Sequence, residues 1–315
     1  MDLLRIPLLV LIDVFKNMDF REKFLISLMS KRARNTLKLT CVIPHFSIKF
    51  SNDMYIHSKP VSWVNRSTIA VEASDLLIGG EEMRLSLYPD GTSLQEQSIE
   101  KQLILADHVF DTFIKSSISI KFFDPTPSLS AWEFMKMLND RQLIITLFSY
   151  YITSASSEYI PKILDECTEV TDSISMHAAF PEDFVYTPPY SFIATELHVS
   201  KRTNWLNLKS FMSCSRIFLE GVSNWTPEFW NTFFKNWIES ESRLQYLSCI
   251  SKDTPKLQLI IDGLSNEMIT RIGKNEWIEV KRRDGSEFFI GKASNHLYMM
   301  SKEEHRKERR IMIID

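Results

Sequence analysis

Residues 215–250 read SRIFLEGVSNWTPEFWNTFFKNWIESESRLQYLSCI, and two periodicities within them decide the fold. "RIFLEGV" (216–222) and "LQYLSCI" (244–250) are short apolar runs of strand composition. Between them, Thr226 is a good N-cap, Pro227 suits the first helical position and Glu228 suits the first turn. Phe229, Trp230, Phe233, Phe234, Trp237 and Ile238 then recur at helical spacing as one wide apolar stripe, which reads as core packing rather than a ligand site. The unit is strand–helix–strand.

The same alternation extends upstream. Further strands are expected at "SISIKFFD" (117–124), "LIITLFSY" (143–150), "SISMHAAF" (173–180) and "FIATELHV" (192–199). Helical patterns fill several gaps, notably "SAWEFMKMLND", where Ser130 and Glu133 are expected to form a capping box. A strand plus a helix repeating every twenty to thirty residues predicts an irregular, leucine-rich-repeat-like solenoid over 111–315. A doubly wound sheet would carry glycine-rich strand-to-helix turns, and the chain has only eight glycines in 315 residues. The expected class is therefore α+β or α/β.

Residues 42–110 read as a β-rich connector. "HFSIKFS", "STIAVEA" and "MRLSLYPDGTSLQEQ" alternate with period two, and Pro89-Asp90-Gly91 is a hairpin-type turn.

The first 41 residues differ from everything after them. They hold eight Lys/Arg against four Asp/Glu, while the whole chain carries −3. Pro7 suits the first position of a helix in which Leu8, Leu11, Ile12, Phe15 and Met18 recur at helical spacing. Leu9, Val10 and Val14 make that helix apolar nearly all round, more than forty residues can bury, so the excess is expected to face a partner. Asp13 interrupts the run and no small-residue cleavage site follows, which argues against an export signal. The run is also far shorter than a membrane span. Asp19 and Glu22 predict a capping box for a second helix carrying Phe24, Leu25, Leu28 and Met29, and Ser30 predicts the cap of a third, basic helix.

"IPLLVLIDVFKNMDFREKFLISLMSKRARNTLK" resembles an F-box: an Ile6-Pro7 start, an apolar helix, a Met18-Asp19 turn, a Phe-Leu helix and Ser30-Lys31-Arg32. Ile6 replaces the commoner Leu, and Ala33 stands where many F-boxes carry Trp. Downstream, "LEG … TPEFWNTFFKNWI … LQYL" looks like the type-2 F-box-associated region of the large nematode F-box families. Its F-x-K-x-W core is Phe233, Lys235 and Trp237, and "EWIEVKRRDGSEFFIG" resembles its closing hairpin with Asp284-Gly285 at the turn. The best match to that region spans about 192–290.

The resemblance implies an F-box over 1–41, the connector over 42–110 and a repeat body over 111–315. It implies a substrate-recognition subunit of an SCF-type (Skp–cullin–F-box) ubiquitin ligase, docking a Skp-family adaptor, and through it a cullin, while the body binds a target protein. The adaptor contact or its supporting core would use Ile6, Pro7, Leu8, Leu11, Ile12, Phe15, Met18, Phe24, Leu25 and Leu28. A scaffold or decoy without a degradative role is the alternative.

No catalytic role is expected: the sequence has no phosphate-binding glycine loop, nucleophile elbow, zinc-protease or kinase pattern. Cys41, Cys167, Cys214 and Cys249 show no metal spacing and read as buried thiols of an intracellular protein. No cofactor, nucleic acid or membrane is expected as a partner. "KEEHRKERR" (302–310) reads as a solvated helix.

Overall fold

A computed structural model describes residues 7–59, 72–153, 158–178, 180, 184–201, 203, 205–222, 225–251, 254–264, 269–272 and 275–306. The fold is mixed α/β, in two compact units, Met1–Glu166 and Cys167–Asp315.

The first unit opens with three helices, α1 (Leu8–Asn17), α2 (Phe20–Met29) and α3 (Lys31–Thr40). Strands β1 (His45–Phe50), β2 (Met54–His57), β3 (Glu72–Ile78), β4 (Glu81–Tyr88) and β5 (Gly91–Leu94) follow, then α4 (Ile99–Thr112). Strand β6 (Ser117–Phe123), α5 (Ser128–Asp140), β7 (Ile144–Tyr151) and α6 (Ile160–Glu166) complete it. Strands lie in the order β7-β6-β1-β2-β5-β4-β3. The pairs β7–β6 and β6–β1 are parallel, and the remaining neighbours are antiparallel.

Period-two alternation explains which face is covered. Ile56, Ile48, Ile120 and Phe148 are register partners on successive strands, and all are buried. Phe134 of α5 meets Phe50 edge-on at 4.7 Å beneath that face.

The second unit contains β8 (Ser173–Ala178), β9 (Glu196–Lys201), β10 (Arg216–Val222), α7 (Pro227–Glu239), β11 (Tyr246–Ser251) and a one-turn helix α8 (Leu257–Ile260). A meander of β12 (Thr270–Ile272), β13 (Asn275–Lys281), β14 (Glu287–Ala293) and β15 (His296–Ser301) closes it. Strands lie in the order β8-β9-β10-β11-β15-β14-β13-β12. β8 to β11 run parallel, and β15 returns antiparallel to β11. Ile174, Leu197, Ile217, Leu247, Met299, Ile290 and Ile278 stand in one unbroken register row and are buried together.

Helix α7 covers that row. Trp230, Phe233, Phe234 and Trp237 are buried, Thr226 caps the helix and Pro227 occupies its first turn. The indole of Trp237 donates to the Leu244 carbonyl at 3.1 Å and meets Phe288 edge-on at 4.7 Å. The Arg282 guanidinium lies 5.0 Å from the Trp237 ring and donates to the carbonyls of Ser240 and Ser242 at 2.5 and 3.2 Å.

Several local expectations shift. Pro7 is the N-cap of α1 rather than its first helical residue, and its carbonyl accepts from Val10 and Leu11 at 3.0 and 3.1 Å. Helix α5 begins at Ser128 after Pro127, so Ser130 lies inside the first turn, buried, and caps nothing. Strand β9 begins at Glu196, because Ile193 and Thr195 instead donate back to the Thr168 and Thr171 carbonyls. Helix α4 starts within the stretch read as β-rich connector. Of "STIAVEA", residues 67–71 lie outside the described residues.

Residues 302–306 are helical, but Lys302 is not simply solvated. Its ammonium donates to Glu279 at 2.7 Å and Glu287 at 2.8 Å, and these carboxylates raise its pKa. His305 packs on Phe289 with ring centres 4.2 Å apart.

Candidate interaction surfaces

Helices α2 and α3 are held by the caps that the sequence specifies. Asp19 accepts from the Glu22 amide and Glu22 accepts from the Asp19 amide, both at 2.8 Å. Ser30 accepts from the Ala33 amide at 3.1 Å. Phe20 of α2 sits in a ring cluster with Phe24, Phe46 and Phe113, at centroid distances of 5.7 to 6.1 Å. The Phe20 amide also donates to the Pro89 carbonyl at 2.8 Å. The helices are thus seated on β1, the β4–β5 turn and the end of α4.

Among the residues expected at an adaptor contact, Leu11, Phe15 and Phe24 are 3%, 0% and 0% exposed. In the folded unit they are core residues that support whatever surface lies above them. Ile12, Met18, Leu25 and Leu28 are half-buried and Pro7 is exposed. Ile6 lies outside the described residues, as does the side chain of Leu8 within α1.

The most exposed apolar side chains of this region were not among those ten. Leu9, Met29, Leu39 and Val42 are each between 74% and 79% exposed, and Val10 is 47% exposed. Leu9 and Val10 could have been found from the surplus of apolar residues on α1, since one helix side already suffices for its core.

The positive balance of this segment is partly spent inside the unit. Lys38 and Arg34 of α3 reach Asp111 of α4 at 2.8 and 3.7 Å, and the hydrogen bond from Lys38 lowers the Asp111 pKa. Lys31 and Arg32 remain exposed.

Each unit also has a sheet face of half-buried, mostly polar side chains opposite its helices. In the second unit, His198, Phe218 and Tyr246 of β9, β10 and β11 stack side by side, with centroids 4.3 and 5.2 Å apart. Arg216 lies 4.8 Å from the Tyr246 ring and 3.3 Å from the Glu196 carboxylate. His177 and Ser200 hydrogen-bond across the β8–β9 pair. In the first unit the corresponding face carries His45, Ser47, Lys49, Tyr55, Ser119, Lys121, Phe123 and Tyr151. Strictly alternating stretches such as SISIKFF and SISMHA produce both faces, apolar inward and polar outward.

Cys41, Cys167, Cys214 and Cys249 are all buried. Burial pushes Cys214 and Cys249 up to about 12, which removes the thiolate a nucleophile or metal ligand requires. No helix among the described residues is long and apolar enough to cross a membrane.

Residues 192–249 match the family described as F-box associated, a span of less than a fifth of the chain. It includes β9, β10, α7 and the first residues of β11, together with the His198–Phe218–Tyr246 row. No curated protein and no solved structure matches the chain.

Proposed function

We propose that this chain is the substrate-recognition subunit of an SCF-type (Skp–cullin–F-box) ubiquitin ligase and is itself non-catalytic. The observation that carries the reading is the F-box associated stretch at 192–249, in a chain whose residues 8–40 form three short helices, two of them capped by side chains, with exposed apolar surface. A region of that family implies protein–protein interaction in an F-box context.

On this reading α1 to α3 are the F-box. Ile6, Pro7, Leu8 and Ile12 dock a Skp-family adaptor, joined by the exposed Leu9 and Val10, and Leu11, Phe15 and Phe24 hold the helices from beneath. Burying four or five aliphatic side chains supplies ~1.5–3 kcal/mol each before association costs. The adaptor brings the cullin, and the strand–helix body, read as an irregular leucine-rich-repeat-like solenoid, holds a target protein. Ubiquitylation then proceeds by proximity, an entropic effect that needs no chemistry from this chain. An intracellular location, cytoplasmic or nuclear, belongs to the same reading.

The test is co-purification of the adaptor with wild type and with an Ile6/Pro7/Leu8 triple alanine variant. The reading requires loss of adaptor from a variant that is still folded. Retention of the adaptor would overturn the assignment of this surface. Adaptor bound without a cullin would instead mark a scaffold or decoy.

A further inference from the structure

Arg34 of α3, Asp107 and His108 of α4 and Met137 of α5 come together in the first unit around a cavity of about 340 Å³. Leu103 and Ile104 add to its apolar wall. The β3–β4 turn closes one side through Gly79, which has φ +61° and lies so near α4 that an added Cβ would stand 2.7 Å from Ile104 Cγ2. Small ligands bind in cavities of this size, apolar with a few convergent polar groups.

The ion pairs around the cavity do not cancel. Arg34 and Lys38 share Asp111, at 3.7 and 2.8 Å, and Arg141 pairs with Asp107. Three cations thus meet two carboxylates, an excess of one positive charge. Asp111 is held chiefly by Lys38, whose hydrogen bond is the largest cause of its lowered pKa. The Arg34 contact with Asp111 is longer than a hydrogen bond, and the Arg34 Nε–H is buried without a partner among the described residues. A guanidinium grips a carboxylate through two parallel N–H donors, and Arg34 has that capacity unspent.

His108 registers the same excess from the cavity wall. After burial, the Arg34 guanidinium is the main cause of its lowered pKa, and the smaller effect of Asp111 does not offset it. The neutral ring bonds Ser27 Oγ at 2.7 Å and adds no charge to the cavity.

We propose that this cavity binds a carboxylate carried on an apolar body, with the anion on Arg34 and the hydrocarbon against Leu103, Ile104 and Met137. A free aliphatic acid and the C-terminal residue of another protein chain share that chemistry. The site goes beyond the role proposed above and does not depend on it.

The experiment titrates the full chain calorimetrically with octanoate and with its neutral isostere octanamide. Wild type is expected to bind octanoate saturably and about tenfold more tightly than octanamide. Arg34→Gln is expected to lose about that factor for octanoate and to bind the two probes alike. Met137→Trp fills the cavity from a half-buried position on α5 and is expected to bind neither. Lys162→Gln, on α6 and outside the lining, is expected to bind as wild type does. A thermal melt checks that each variant is folded; should Arg34→Gln unfold, Met137→Trp and the octanamide comparison still decide. Two peptides ending in Leu, one with a free carboxylate and one amidated, identify the source. Binding of the free-acid peptide alone assigns the site to a chain terminus, and binding of octanoate without either peptide assigns it to a small acid. Absence of saturable binding of both octanoate and the free-acid peptide, equal affinity for octanamide, or unchanged affinity in folded Arg34→Gln would overturn the proposal.

Discussion

His108 of α4 lies with its Nε2 2.7 Å from the Ser27 hydroxyl of α2, and both side chains are buried. Ser27 donates its own hydrogen to the Phe24 carbonyl at 2.6 Å, so the imidazole is the donor in the longer bond. That assigns the Nε2–H tautomer and ties the N-terminal helices to α4. Ser27→Ala removes the acceptor and leaves a buried imidazole N–H unsatisfied. The expected cost is about 1–3 kcal/mol in urea unfolding. A change within about 0.3 kcal/mol would mean that the bond contributes nothing, less than a buried partner should give.

The same pair makes stability depend on acid. Burial and the neighbouring Arg34 guanidinium lower the His108 pKa from 6.5 to about 4, against a smaller opposing effect of Asp111. The unfolded chain therefore binds the extra proton first. Stability from the neutral ring is complete above pH 6.5 and is lost as pH falls from there towards about 4. Comparing unfolding midpoints across that window for wild type and His108→Gln should show a steeper fall in wild type. Parallel curves would refute the assignment.

Gly221 answers why the stretch resembling an F-box-associated region carries Leu-Glu-Gly. It has φ +74°, sits at the register shift of the β10–β11 pair, and a Cβ there would collide with the Lys201 carbonyl oxygen of the adjacent strand. Gly221→Ala should cost at least about 1–2 kcal/mol from the left-handed backbone alone. A melting temperature unchanged from wild type would show that the strands can move apart freely.

Arg282 is buried at the end of β13, against Trp237 and Phe288, with two backbone carbonyls as acceptors. Arg282→Met keeps the stem but strands the carbonyls of Ser240 and Ser242, at an expected cost of about 2–3 kcal/mol. Arg282→Lys should recover only part of that, because an ammonium can donate to the carbonyls but lacks the planar guanidinium that lies against the indole. Full recovery by lysine would argue against the stacked geometry.

Much of this was legible because local signals and the tertiary structure agree. Asp19/Glu22, Thr226-Pro227 and Asp284-Gly285 each need only neighbouring residues, and each forms as its residues require. The strand-like runs likewise identified β6, β8 and β10. What the sequence withheld was long-range. Nothing local reveals that Arg34 and Lys38 turn inward to Asp111, seventy-three residues beyond Lys38. Nor can helical spacing say that Leu11 and Phe15 are covered while Leu9 is bare, because α1 is apolar nearly all round. The pairing of Lys49 with Lys121 depends on β6 inserting next to β1 across four intervening strands and a helix.

Isothermal titration of a purified Skp-family adaptor into the full chain tests the central claim most directly. One-to-one saturable binding is predicted, abolished by Ile6→Ala/Pro7→Ala/Leu8→Ala. No heat of binding from a folded wild-type chain would contradict it.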